Sequence, residues 1–99
     1  GVNQFFIRIQ NRIMDRTGTK LPDEIINDFL RYGDADVSEA YLSAMKQVAE
    51  QYVQGLFQKL RDFEYNEDLM NLYVMGGGAK MVEIFGKYNP DRTTYNHDI

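Results

Sequence analysis

Asn71-Leu72-Tyr73-Val74-Met75-Gly76-Gly77-Gly78-Ala79-Lys80-Met81-Val82-Glu83-Ile84-Phe85 is the stretch on which the reading of this chain turns. It opens with a short apolar run, β-prone at Tyr73 and Val74, and passes through three glycines. Met81, Val82, Ile84 and Phe85 then resume helical spacing until Gly86. The pattern predicts a strand near 71–75, a glycine turn, and a short helix near 79–86. Consecutive glycines let a ligand approach the backbone, and a helix start turns free N–H groups outward; a nucleotide is the usual occupant of such a turn, and a packing turn with no ligand is the other reading. Two phosphate-binding motifs are excluded by spacing. A P-loop needs glycine where Ala79 stands and Ser or Thr after its lysine, but Lys80 precedes Met81. The dinucleotide fingerprint needs a small residue at position 81, which Met81 is not.

Upstream, three helices are legible. Val2, Phe5, Phe6, Ile9 and Ile13 form an apolar stripe that Ile7 and Met14 widen, while Arg8, Arg12 and Arg16 recur every four residues. That predicts a helix near 3–16, capped at Gly18. Pro22 with Asp23 and Glu24 opens a second helix near 22–32, where an imino acid and two carboxylates suit the first turn. Ile25, Ile26, Phe29 and Leu30 are its apolar face, and Gly33 closes it. Asp36 and Glu39 have capping-box spacing ahead of a long helix near 37–63, roughly 40 Å at about 1.5 Å per residue. Its apolar rows are Ala44, Val48, Tyr52, Leu56, Leu60 and Phe63, beside Ala49, Val53 and Phe57. Gly55 within it suggests a close helix contact. The tail from Lys87 reads as loop, with Arg92–Tyr95 only a weak strand candidate. A strand near 71–75 therefore lacks an obvious partner, and unpaired backbone is costly to bury, so its neighbours are expected outside these residues. The fold class is mainly α with one strand: a helical part over 1–68 and a strand–turn–helix with tail over 69–99.

Composition narrows the functions. The chain has 99 residues, 11 Lys+Arg against 15 Asp+Glu, a net charge of −4 and no cysteine. Thiolate zinc sites, disulfide scaffolds and cysteine nucleophiles are thereby excluded, and a reducing, cytoplasmic setting is compatible with the lack of cysteine. Residues 34–68 carry eight acidic and three basic groups, and no block of the chain is strongly basic. Direct nucleic-acid binding is not expected. No apolar run reaches a membrane span of about 20 residues. The single histidine, His97, makes no metal site without partners, and Asp91, His97 and Asp98 read as a solvated tail rather than a catalytic set. Glu64, Glu67 and Asp68 lack calcium-loop spacing and read as a solvated turn. Met45, Met75 and Met81 read as core filler. Lys80 opposes the helix dipole in a first turn, a mild penalty that a phosphate would offset.

Asn71-Leu72-Tyr73-Val74-Met75-Gly76-Gly77-Gly78-Ala79 resembles the adenosine motif of actin-like ATPases. The layout as a whole, from Gly1-Val2 through a long helix to the glycine turn, is similar to the ParM/StbA group of plasmid-segregation actins. The resemblance implies a fragment of the α/β actin-like (ribonuclease H-like) ATPase fold, about a third of such a protein, with 1–68 as its helical subdomain IIB. It implies that Gly77, Gly78 and Ala79 lie against the adenosine end of ATP, with Gly76 shaping the turn. A side chain at Gly78 would then block the nucleotide while leaving the helices folded. ATP and Mg are the cofactors implied for the intact protein, with none bound tightly by this piece alone. No catalytic or metal-holding residue falls within these residues, so the piece alone is not expected to hydrolyse ATP. The implied partners are further copies in a filament, with DNA reached only through an adaptor protein and no membrane contact. Two other readings stand beside this one: a small helical interaction module whose glycine turn is purely structural, and another actin-superfamily ATPase or kinase. A phosphate loop of the Asp-Gly-Gly-Thr kind ahead of Gly1 would separate them.

Overall fold

The structure, a computed structural model, describes residues 2–75, 78–86 and 88–96. It is mainly helical: α1 (Val2–Thr17), α2 (Asp23–Tyr32), α3 (Glu39–Asp62), β1 (Leu72–Met75), α4 (Ala79–Phe85), a 3-10 turn (Pro90–Arg92) and β2 (Thr93–Asn96). The three long helices fall within two residues of their expected bounds, because each carries a clear periodicity and the first two carry glycine stops as well. Gly18 and Gly33 end α1 and α2 with φ of 73° and 75°, and the Gly33 N–H donates to the Phe29 carbonyl at 2.8 Å. Glycine takes this left-handed turn most readily, and at Gly33 a Cβ would also run into the Ile84 side chain.

The start of α3 differs from expectation. Ser38, extended at φ −62° and ψ 156°, precedes the first helical residue, and the Leu42 N–H donates to its carbonyl at 3.0 Å. The Asp36–Glu39 capping box is therefore not formed. A box based on Asp36 requires the helix to begin at Val37, but the Val37 N–H is spent on a tight turn to the Ala35 carbonyl. At its other end α3 closes in a Schellman motif, with Glu64 N–H on Arg61 O and Tyr65 N–H on Leu60 O, both at 2.9 Å. Glu64 takes the left-handed position, φ 66°, that glycine usually fills.

One core joins the helices and the strand unit. Phe5, Ile9 and Ile13 of α1 meet Ile26, Phe29 and Leu30 of α2, and Met45, Val48, Ala49, Val53 and Phe57 of α3. Met81 and Val82 of α4 close it. The buried stripes are narrower than the apolar patterns. Ile7 and Met14 stand exposed on α1, and Phe63, 86% exposed, lies beyond the α3 core line. That line runs along Met45, Ala49, Val53 and Phe57, which leaves Ala44, Tyr52 and Leu60 on its half-buried flank. Met45 and Met81 are core filler as expected; Met75 is not, being 72% exposed.

Gly55 marks no close contact. A Cβ built there meets nothing within 4 Å, and the residue is exposed. Gly55→Ala should therefore raise stability by about 0.5–1 kcal/mol, because it restricts the unfolded chain at no steric cost. A chemical-denaturation midpoint that falls in this variant would refute the point.

Candidate functional site

The expectation of a lone strand with a loop tail is overturned, because β1 and β2 form a two-stranded parallel sheet with Leu72 opposite Thr93 and Met75 opposite Asn96. Several polar contacts hold the returning chain. Asn89 accepts from the Asp91 N–H at 3.0 Å, the Thr93 hydroxyl donates to the Asn89 carbonyl at 2.8 Å, and Arg92 Nη2 donates to the Leu69 carbonyl at 2.9 Å. The last of these brings the start of β2 beside the start of β1. Pro90 helps by fixing φ at the first position of the 3-10 turn. The unit is thus β1–α4–β2, with Met75 ending β1 at the carboxyl end of the strand pair and Gly78 preceding α4. In parallel sheets that end is where ligands bind.

Of the four glycine-turn residues singled out from sequence, Gly76 and Gly77 lie outside the described residues. Gly78 and Ala79 sit at the start of α4. Ala79 is fully buried, backbone and methyl alike. Gly78 does not have the positive φ that a glycine turn suggests; it stands at φ −91° and ψ −1°. Its lack of a side chain serves packing. A Cβ there would lie 3.3 and 3.4 Å from the Phe5 ring carbons Cε2 and Cδ2. A side chain at Gly78 would thus press on the Phe5 ring, which would have to give by a few tenths of an ångström. Phe5 thus lies on the Cβ side of Gly78.

Behind the turn lies an aromatic and cationic stack. The rings of Phe5 and Tyr52 are 4.1 Å apart, and the Arg8 guanidinium is 5.0 Å from the Tyr52 ring centre. Phe5 and Arg8 are neighbours one turn apart on α1, and Tyr52 comes from α3. Sequence reasoning placed Phe5 and Tyr52 in the apolar faces but had no signal that they converge on the glycine turn. Lys80 Nζ lies 3.8 Å from Glu83 Oε2, one helical turn on. A carboxylate of α4 itself thus offsets the lysine's unfavourable place in the dipole, and an exposed pair of this kind contributes at most about 1 kcal/mol.

Under the sheet the polar side chains are mostly phenols. The Tyr88 hydroxyl donates to the Glu83 carbonyl at 2.7 Å, and the Tyr88 and Tyr95 rings meet edge to face at 5.5 Å. Burial, then the neighbouring Tyr88 hydroxyl, pushes the Tyr95 phenol far above its ordinary value of 10.0. Burial also raises Tyr65, helped by Glu67. A raised phenol keeps its proton in the folded state while the unfolded chain loses it near pH 10. The Tyr95 contribution is therefore complete below about pH 10 and is lost as pH rises further, by up to about 1.4 kcal/mol per pH unit. Tyr95→Phe should change stability little at pH 7 and shift the alkaline unfolding midpoint upward. An unshifted alkaline limb in a pH-melting series would contradict this.

A helical bundle carrying a parallel β–α–β unit, with a glycine turn at the strands' carboxyl end, is the class that fold and site define. Compared with known protein families, curated proteins and solved structures, the chain matches none. Among the described residues no helix is long and apolar enough to cross a membrane.

Proposed function

We propose that this chain is a piece of an actin-like, filament-forming ATPase of the plasmid-segregation type, in which it supplies the adenosine side of the nucleotide site. The observation that carries the reading is the position of the glycine turn. The segment resembling the adenosine motif runs from β1 into α4 at the carboxyl end of a parallel strand pair, backed by α1. Small residues suit the role. Gly78, half-buried and without a side chain, would offer its backbone to a ligand, while Ala79 behind it is fully buried and packs α4 onto the core. In the intact protein, bound ATP with Mg supplies the phosphoryl group and the charge neutralisation. The contribution of this chain is to hold the nucleoside end. Phosphoryl transfer rests on charge stabilisation around the phosphates, so residues 1–99 alone should show no steady ATP turnover.

The test is nucleotide affinity in the intact protein, by calorimetry, with a melting curve for each variant. Gly77→Val is the informative change, because a side chain at Gly78 meets Phe5. ATP binding should weaken tenfold or more, about 1.4 kcal/mol, with the melting curve separating loss of binding from loss of folding. Filament assembly should fail with it. One observation favours a second reading: Gly78 already has a packing partner in Phe5, which is what a purely structural turn requires. Unchanged ATP affinity in a folded Gly77→Val protein would make the helical interaction module the better account.

A further inference from the structure

We draw no further inference here: the strongest candidate, the outer face of the two-stranded sheet where Tyr73 and Met75 stand exposed beside the β1 edge turned away from β2, carries nothing because nothing in the structure shows what covers it.

Discussion

Phe5→Ala is expected to lower the unfolding free energy by about 3–5 kcal/mol, the cost of deleting a buried aromatic ring and leaving its cavity. Phe5 is almost fully buried, stacks on Tyr52 and fills the space beside Gly78. A domain of this size commonly has about 5–15 kcal/mol in total, so the loss should be plain in a urea-unfolding midpoint. Phe5→Leu keeps much of the volume and should cost distinctly less. The pair also allows a coupling test. Gly78→Ala alone forces its new Cβ against the ring, whereas in a Phe5→Leu background the smaller side chain can yield. The double variant should therefore be more stable than the sum of the two single changes implies, by about 0.5 kcal/mol or more. Strict additivity would mean that the ring does not position the turn. A Phe5→Ala loss below about 1 kcal/mol would mean that α1 does not anchor there.

Gly86→Ala is the second large effect, and it runs opposite to Gly55→Ala although the chemical change is the same. A Cβ at Gly86 would stand 2.5 Å from the Val82 carbonyl oxygen and 2.8 and 3.0 Å from Phe57 Cε2 and Cζ. The backbone there, φ −75° and ψ 153°, is open to any residue, so the penalty is steric rather than torsional. The carbonyl cannot move freely, because it accepts the Gly86 N–H at 2.8 Å and so closes α4. Phe57 is buried in the core of α3. Overpacking of this kind costs about 1–3 kcal/mol, and the upper half of that range is expected because one colliding atom is backbone. Denaturation midpoints for the Gly55 and Gly86 variants, measured side by side, should move in opposite directions. A neutral Gly86→Ala would show that α4 and α3 are not packed so closely at this point.

Much of the architecture is written in local signals. Periodicity and caps act within about four residues, so α1, α2 and α3 are legible from the chain, with Gly18 and Gly33 as their stops. The order of strand β1 before helix α4 within residues 72–85 is legible for the same reason, whereas the expected positive φ is not found at Gly78. The bounds drift where a cap depends on its surroundings, as at Ser38, or where a Schellman turn uses Glu64 in place of glycine.

What the sequence by itself determined is therefore the helices, the strand before the glycines and an apolar set large enough for one core. Tertiary structure alone decided how these pieces are used. A strand as short as Thr93–Asn96 forms because β1 offers it a ladder and the core a place for Tyr95, and neither is visible in its own four residues, although Thr and Tyr favour strands. Which flank of an apolar stripe is buried was likewise decided by neighbours: Ile7, Phe63 and Met75 are as apolar as the core residues of their own elements, yet among the described residues they stand exposed. The glycines show the same division. Composition cannot separate Gly55, which faces open space, from Gly86, which lies against a carbonyl and a ring, because the difference is the distance to atoms far away in the chain.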